Sequence, residues 1–262
     1  MIDSTQSAPA AIHRAGARLR ILALAAALSV CATGIQAAGP DDSREVYGGA
    51  SPHWLQAVGK LQVPGSKIVA GRRTHHREDC SATLVAKRGS TEANTIVTAW
   101  HCLEFYADLS RPITFTLFPG SHKSIEIEAH RLADGGGIHS DWALLRLRRA
   151  IAASEATAMS FHPERADPAL PITMAGYSRD AGKGDKGNAL TFDANCTITA
   201  QATLSSDSDC MAYKGASGGA VMQFSKQGAP LLSGVISRGD SSAISIYVPV
   251  TGFRSSITRF LQ

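Results

Sequence analysis

The sequence of 262 residues lacks both a long apolar segment and a strong charge bias. No apolar run reaches the ~18 residues that a membrane-spanning helix requires. The net charge is only +4, which is too small to indicate a nucleic-acid partner without a clustered basic patch. Only 18 % of the residues are charged and 44 % are hydrophobic, which excludes intrinsic disorder for most of the length. We therefore expect a soluble globular protein of one large domain or two small ones.

The motifs of cofactor and metal binding are also missing. The stretch from Gly176 to Gly184 superficially resembles a phosphate-binding loop, but Gly184 stands where Ser or Thr should follow Lys183. No two cysteines form a C-x-x-C pair, and neither the cysteines nor the histidines have the spacing of zinc ligands. We therefore expect no cofactor and no metal site.

The N-terminal region has the pattern of an export signal. Arginines at positions 14–20 precede a ten-residue apolar run at 21–30, and small residues follow as far as Ala37. This order is typical of a secretory signal, and the alternative is a buried N-terminal helix. We expect residues 1–37 to be a signal peptide, which predicts a secreted or periplasmic protein with residues 38–59 as an N-terminal extension or propeptide.

Four cysteines remain after removal of this signal: Cys80, Cys102, Cys196 and Cys210. An even number of widely spaced cysteines in an exported protein favours disulfides, because the compartment is oxidising. Four cysteines allow three pairings. We favour Cys80 with Cys102 and Cys196 with Cys210, because each bridge then closes a local loop, and each would contribute about 3 kcal/mol.

The rest of the chain is a succession of short apolar runs broken by turns. Runs that are rich in β-branched residues or alternate in period two predict strands in both halves. They span residues 82–86, 95–99, 113–118, 125–128 and 142–147 in the first half, and 172–177, 190–192, 196–200, 220–224, 231–236 and 244–250 in the second. Two β-rich halves suggest paired barrels or sandwiches, and the spacing of Phe253, Ile257 and Phe260 predicts a short terminal helix.

Three short segments carry the residue types that acyl transfer requires. His101 follows a predicted strand, Asp141 opens another, and Ser217 lies in the run Gly-Ala-Ser-Gly-Gly that begins at Gly215. A serine hydroxyl needs a base to become a nucleophile, an imidazole can serve as that base, and a buried carboxylate fixes the imidazole tautomer. The N–H groups of Gly215 and Ser217 are predicted to form an oxyanion hole, because glycine permits the turn that this requires.

Each of these residues has a simpler interpretation when it is taken alone. A single histidine such as His101 is more often a core or surface residue, Asp141 could cap a turn, and the glycine-rich run could be a flexible turn. The order His, Asp, Ser in an exported chain with two β-rich halves is what favours a catalytic role.

The three segments resemble the catalytic signatures of trypsin-like, chymotrypsin-fold serine peptidases. His101 matches that family's Thr-Ala-Ala-His-Cys, Asp141 its Asp-Ile-Ala-Leu-Leu, and Ser217 its Gly-Asp-Ser-Gly-Gly. The chain order His-Asp-Ser is also the order of that family.

The resemblance covers about residues 60–262 and implies an all-β fold. That fold has two antiparallel six-stranded β-barrels, with the active site in the cleft between them, and a short C-terminal helix. We place the N-terminal barrel at 60–155 and the C-terminal barrel with the helix at 156–262. The resemblance also supports the bridge between Cys80 and Cys102, because a bridge next to the catalytic histidine is common in the family.

Departures from the family pattern bear on activation and specificity. Ala216 stands where animal trypsins have an aspartate that binds a freshly cut N-terminus, which points to bacterial secreted members similar to glutamyl endopeptidases. Met211, with Ala212 beside it, stands where trypsin has its Arg/Lys-selecting aspartate, so we expect a neutral or apolar pocket. Ser237 and Gly239 belong to a segment that resembles the family's substrate-pairing strand.

The sequence therefore predicts a secreted serine endopeptidase that hydrolyses peptide bonds through an acyl-enzyme intermediate. We expect a monomer that acts on protein or peptide substrates, without nucleic acid and without stable membrane insertion after signal removal. Two alternatives stay open. One is a catalytically silent binding protein on the same scaffold, because Ala216 removes one support of the oxyanion turn; the other is a serine esterase, because the same triad cleaves esters.

Overall fold

The computed structural model describes residues 42–106, 111–239 and 244–261. The predicted signal peptide, residues 1–37, lies outside the described residues. Within the described ranges, none of the helices is long and apolar enough to cross a bilayer.

β-Strands dominate the described residues. Those before residue 155 are β1 (Glu45–Val46), β2 (Val58–Val69), β3 (Arg72–Val85), β4 (Glu92–Thr98), β5 (Ile113–Leu117), β6 (Ile125–Asp134) and β7 (Ala143–Ala152). Those after it are β8 (Ser160–Phe161), β9 (Ile172–Gly176), β10 (Thr191–Cys196), β11 (Ile198–Gln201), β12 (Ser206–Ser208), β13 (Ala220–Phe224), β14 (Pro230–Gly239) and β15 (Ser245–Pro249). Short 3-10 turns span His53–Ala57, Trp100–Leu103, Asp185–Gly187 and Val250–Gly252, and a short α-helix, α1, spans Arg254–Phe260. The predicted all-β fold with a short C-terminal helix is confirmed.

Six strands of the first half close into an antiparallel barrel. The strand order is β2-β3-β4-β7-β6-β5, and β5 pairs back onto β2. Alternate side chains point inward, and Leu61, Ile96 and Phe115 are fully buried. Gly59 allows the ring of Phe115 to pack directly on β2, because a Cβ at that position would overlap the ring.

The second half of the chain forms a nine-stranded sheet. Its order is β1-β10-β9-β13-β14-β15-β12-β11, and β8 pairs with β14 in parallel. β10 and β11 lie near opposite ends of this path although only Thr197 separates them, so the sheet curls toward itself as a half-barrel. The predicted second barrel is thus observed as a curled but open sheet, and β1 occupies the edge of β10 at which a closed barrel would pair.

The predicted domain limits stay a prediction, and chain segments cross them in the structure. β2 of the first barrel begins at Val58, within the predicted extension 38–59. The same predicted extension contributes β1 to the second sheet, where Glu45 pairs with Phe192. Two of the residues before the first barrel are therefore part of the second sheet.

The residue that precedes α1 packs close to a candidate catalytic residue. Phe253 is 1 % exposed, and its ring stacks on that of Trp142 with a centroid distance of 5.0 Å and an interplanar angle of 14°. Trp142 directly follows Asp141 in the chain. The C-terminal residues therefore support the strand end that carries Asp141.

Candidate active site

Two neighbouring strands bring His101 and Asp141 together. His101 lies in the 3-10 turn after β4, and Asp141 lies just before β7. β4 and β7 are antiparallel neighbours in which Thr98 pairs with Ala143. The end of one strand therefore lies beside the start of the other, and the two side chains meet at one edge of the barrel.

His101 and Asp141 form a hydrogen-bonded pair. Nδ1 of His101 lies 2.8 Å from Oδ2 of Asp141, and the backbone N–H of His101 donates to Oδ1 at 2.9 Å. The hydroxyl of Ser237 donates to Oδ2 at 2.5 Å. Asp141 is fully buried, so these donors satisfy a carboxylate that water does not reach.

These contacts keep Asp141 ionised. Burial by itself raises the pKa of a carboxyl group, but the hydrogen bonds and charge of His101 and the hydrogen bond from Ser237 outweigh it, so the pKa of Asp141 is lowered. An ionised carboxylate has no proton to donate, so Nδ1 of His101 must carry the hydrogen of their bond. In a neutral imidazole, Nε2 is then the atom that accepts a proton.

Ser217 lies in the same cleft as His101, on the loop before β13. The cleft is lined by His101, Ala212, Tyr213, Lys214, Ser217, Ile236, Ser237, Arg238 and Gly239. The hydroxyl of Ser217 donates to the carbonyl oxygen of Ser237 at 3.2 Å. Among the described residues, the partner of this hydroxyl is therefore that carbonyl and not the imidazole.

Contacts with the first barrel hold the backbone around Ser217. Its carbonyl oxygen accepts the N–H of Ser81 at 2.8 Å, and the hydroxyl of Ser81 donates to the carbonyl oxygen of Gly215 at 2.9 Å. Gly218 has a φ of 83°, and a Cβ there would overlap the carbonyl of Ser81 and the hydroxyl of Thr98. Only glycine therefore fits between this loop and the barrel.

The N–H groups of Gly215 and Ser217 are available to bind an oxygen atom. In the described part of the chain neither N–H meets an intramolecular acceptor, whereas the N–H of Ala216 donates to the carbonyl oxygen of Tyr213 at 2.9 Å. Gly215 has a φ of 100°, and a Cβ there would lie 2.6 Å from the carbonyl oxygen of Tyr177. Two unpaired donors on a constrained turn can stabilise an oxyanion.

Three of the four predicted specificity residues line the cleft: Ala212, Ser237 and Gly239. The fourth, Met211, is buried outside the lining, and its backbone N–H donates to Oδ2 of Asp193 at 2.6 Å. A Cβ on Gly239 would lie 3.0 Å from the carbonyl oxygen of Ala212. The two walls of the cleft therefore approach each other closely at this point.

Two disulfides brace the site, in the pairing that the sequence favours. Cys80–Cys102 joins β3 to the turn that carries His101, with the Cα atoms 6.3 Å apart. Cys196–Cys210 joins β10 to the segment that leads into the loop carrying Ser217, with the Cα atoms 5.2 Å apart. Each bridge therefore attaches a site segment to a strand of the adjacent sheet.

The described residues contain two groups of side chains with the proximity of metal ligands. They are Cys80, His101 and Cys102, and Asp193, Cys196 and Cys210. In both groups the two sulfur atoms are bonded to each other and are not thiolates. Since the thiolate is the form that ligates metals, neither group fits a metal ion.

Two serines contribute to the site in ways that sequence patterns do not indicate. Ser237, predicted as a substrate-binding residue, also donates to Asp141. Ser81 links the carbonyl groups of Ser217 and Gly215 and the N–H of Tyr177 to the first barrel. Gly215 is 134 residues away from it in the chain. A serine within a strand carries no local signal for such a partner.

The geometry of this cleft agrees with the comparisons with known proteins. A model of the trypsin family matches residues 67–257, a span that includes His101, Asp141 and Ser217. The fold is similar to that of a thermostable serine protease, AL20, from an extremophilic microorganism, with a TM-score of 0.58 and 17 % sequence identity, covering 80 % of this chain and 99 % of that chain. At this identity the likeness concerns the fold. No curated protein matches the sequence.

Proposed function

We propose that this chain, which belongs to the trypsin family and is therefore a serine-type peptidase, is an exported endopeptidase that cleaves protein or peptide substrates. In this proposal Ser217 is the nucleophile, His101 the general base and acid, and Asp141 the carboxylate that orients the imidazole. The observation that carries it is the hydrogen bond between Nδ1 of His101 and the buried carboxylate of Asp141, with His101 and Ser217 lining the same cleft.

The proposed reaction has two steps that share one acyl-enzyme. Oγ of Ser217 attacks the carbonyl carbon of the peptide bond while Nε2 of His101 takes the hydroxyl proton. The N–H groups of Gly215 and Ser217 bind the resulting oxyanion. Collapse of this tetrahedral intermediate breaks the C–N bond of the substrate, and the leaving amine takes the proton from His101. Water, deprotonated by His101, then hydrolyses the ester and restores Ser217.

The resting hydrogen bond of Ser217 is compatible with this role. Its 3.2 Å distance to the carbonyl oxygen of Ser237 is long for an O–H···O bond, for which about 2.7–2.8 Å is usual. A weak bond is exchanged at low cost when the hydroxyl turns about its Cα–Cβ bond. Catalytic hydrogen bonds are often loose without substrate and tighten when it binds.

We propose that the residue on the acyl side of the cleaved bond is small and neutral. The side chain of Ala212 is a single methyl group, and Gly239 brings the opposite wall close to its carbonyl. None of the described residues that line the cleft is acidic, so a basic substrate side chain has no charged partner among them. Cleavage of a peptide library with the sites located by mass spectrometry tests this preference, and cleavage only after Lys or Arg would contradict it.

We also propose that the protein is secreted or periplasmic and of the bacterial secreted type. Two disulfides support export, because such bridges persist mainly in oxidising compartments. Ala216 supports a closer relation to glutamyl-endopeptidase-like members than to animal trypsins, because the aspartate that would bind a new N-terminus is missing.

Reaction with a fluorophosphonate, followed by mass spectrometry of the adduct, tests the nucleophile. We expect one adduct on Ser217, absent from Ser217→Ala and retained in Ser233→Ala, a change at another buried serine. Folded, disulfide-bonded protein without an adduct would overturn the proposal and favour a binding protein on this scaffold. Hydrolysis of ester but not of peptide substrates would instead favour an esterase.

A further inference from the structure

A buried arginine before the first barrel contacts the loop that carries the proposed oxyanion donors. Arg44 is only 2 % exposed. Its guanidinium donates to the carboxylate of Asp42 at 2.7 and 2.9 Å and to that of Asp180 at 2.9 and 3.1 Å. The guanidinium carbon also lies 3.9 Å from the ring centre of Tyr213, in that loop. A buried cation requires such pairing, so Arg44 is held in one geometry.

The segment that bears Arg44 is also attached to the start of the loop 211–217. The hydroxyl of Ser43 donates to Oδ2 of Asp193 at 2.9 Å. The same oxygen accepts the backbone N–H of Met211 at 2.6 Å. One buried carboxylate therefore joins this segment to the first residue of the loop.

Asp180 lies in a turn that binds the same segment. Nζ of Lys183, in this turn, donates to the carbonyl oxygens of Asp42 and Arg44, each at 2.5 Å. The hydrogen bonds from Arg44 hold the pKa of both Asp42 and Asp180 below the ordinary value of a carboxyl group. Both carboxylates are therefore charged partners of the guanidinium at neutral pH.

The same turn determines the orientation of the peptide unit before Gly215. The N–H of Arg179 donates to the carbonyl oxygen of Lys214 at 2.7 Å. That carbonyl and the N–H of Gly215 belong to one planar trans peptide, so the direction of the carbonyl also sets the direction of the N–H. A Cβ on Gly215 would lie 2.7 Å from Cγ of Arg179, which shows how closely the turn and the loop pack.

The residue that precedes the proposed nucleophile, Ala216, has no ionisable side chain. Ala216 is 2 % exposed and ends in a methyl group. A free N-terminal amine would therefore find no carboxylate there. Charged support reaches the loop from Arg44, which contacts the loop at Tyr213 and the turn at Asp180.

We propose that Arg44 is a positioning residue for the oxyanion hole. By pairing with Asp180 and stacking on Tyr213, it keeps the turn and the loop in the register in which the N–H of Gly215 is available to the substrate carbonyl. The inference rests on the proposed function. It predicts that an internal side chain positions the oxyanion hole. No proteolytic cleavage that releases a new N-terminal amine is then needed.

Kinetics of Arg44→Met and Arg44→Lys test the proposal. In Arg44→Met, kcat and the rate of fluorophosphonate labelling at Ser217 should fall about 10- to 100-fold, because a small displacement of a catalytic group has an effect of this size. KM should change less than about threefold, since Ala212 and Gly239, which narrow the cleft, are not among the partners of Arg44. Arg44→Lys, which keeps the charge but loses the planar fork, should restore part of the loss.

Arg146→Met is the matched control. Arg146 is a partly buried arginine of the first barrel that donates to Asn94 at 2.6 Å and to the carbonyl oxygen of Phe260 at 2.7 Å. The Arg146→Met variant should keep the wild-type kcat and the wild-type rate of labelling at Ser217. A peptide tag fused before residue 38 should also leave kcat unchanged, and activity that requires a free amine there would overturn the proposal.

Other outcomes separate the two proposals. Folded Arg44→Met with wild-type kcat, a change in KM alone, or an equal loss in Arg146→Met would overturn the positioning role. If Arg44→Met does not fold, Asp180→Asn removes one charged partner but leaves Asp42 paired, and the same slower labelling is expected of it. Wild-type protein that forms no adduct on Ser217 would contradict the proposed function itself, before any variant is compared.

Discussion

Asp141 accepts three hydrogen bonds in a position that solvent does not reach. Two come from the ring and the backbone of His101, and the third comes from the hydroxyl of Ser237. All three partner groups are donors, so each needs an acceptor oxygen. Only the ionised carboxylate has acceptor lone pairs on both oxygens and no proton of its own. The proposed chemistry of the site therefore depends on the charge state of this one buried side chain.

Asp141→Asn should lower kcat by about 10,000-fold while the fold persists, because an amide donor facing Nδ1 favours the wrong tautomer of His101. Steady-state kinetics on a peptide substrate, with circular dichroism as a check of folding, measure this effect. Asp207→Asn on β12 is the matched control and should stay active. A loss of less than tenfold in Asp141→Asn would contradict the assigned role.

Stability should decrease as the pH falls below about 4. The pKa values of Asp42, Asp141 and Asp180 are all lowered in the folded protein. A carboxyl group with a lower pKa in the folded than in the unfolded state stabilises the fold above its unfolded pKa, and this contribution is lost as the pH falls through the folded pKa. Urea unfolding at a series of pH values measures the change. Asp180→Asn should reduce the pH dependence, and stability that rises toward acid pH would show the reverse linkage.

At the scale of elements, the loop 211–217 depends on a strand of the first barrel. β3 contributes Ser81, whose N–H, hydroxyl hydrogen and hydroxyl oxygen bind Ser217, Gly215 and Tyr177 respectively. These three bonds join the loop 211–217 and the residue after β9 to the first barrel. The relative position of His101 and Ser217 is therefore set by strand-to-loop contacts rather than by the loop alone.

Ser81→Ala should reduce the free energy of unfolding by about 1–3 kcal/mol, because it leaves buried backbone groups without a partner. It should also lower kcat, since the carbonyl of Gly215 loses its donor. Ser233→Ala is the matched control: its hydroxyl is buried and has no partner within the described residues, so its removal should be neutral or stabilising. Equal effects of the two changes in urea unfolding would contradict this prediction.

At the scale of the whole molecule, the segment before the first barrel and the residues around Phe253 each contact the other half of the chain. The segment that contains Arg44 pairs with the second sheet through β1. The C-terminal residues reach the first barrel instead, where Phe253 stacks on Trp142. Both segments thus contact residues close to the candidate catalytic groups: Arg44 lies on Tyr213, and Phe253 lies on Trp142, which follows Asp141.

Phe253→Ala should lower the free energy of unfolding by about 3–5 kcal/mol, because it opens a cavity beneath Trp142. Thermal or urea unfolding measures this loss. Phe224→Ala removes the same ring from a position that is 49 % exposed and should have little effect. Comparable destabilisation by both changes would mean that the stacked ring contributes no more than a surface one.

Local patterns predicted many strands of both halves and the terminal helix, and singled out the candidate catalytic residues, but they missed most of β2 and β3. Alternation along β5 and β6 and the apolar run of β7 reflect burial on a pleated strand, which leaves a signal in neighbouring residues. His101 and Ser217 stand in short segments whose residue types are tied to their chemistry. The open second sheet was not predictable in this way, because β1 is a strand of two residues without an alternating pattern.

The supports of the site became visible only in the folded chain. Arg44 and Asp180 are 136 residues apart, and Ser81 and Gly215 are 134 apart. Nothing in the residues next to an arginine or a serine specifies such a distant partner. The sequence alone indicates the residue types that a chemistry requires and the strands that local burial favours. The contacts that position a side chain arise instead from the packing of remote segments, which no local periodicity encodes.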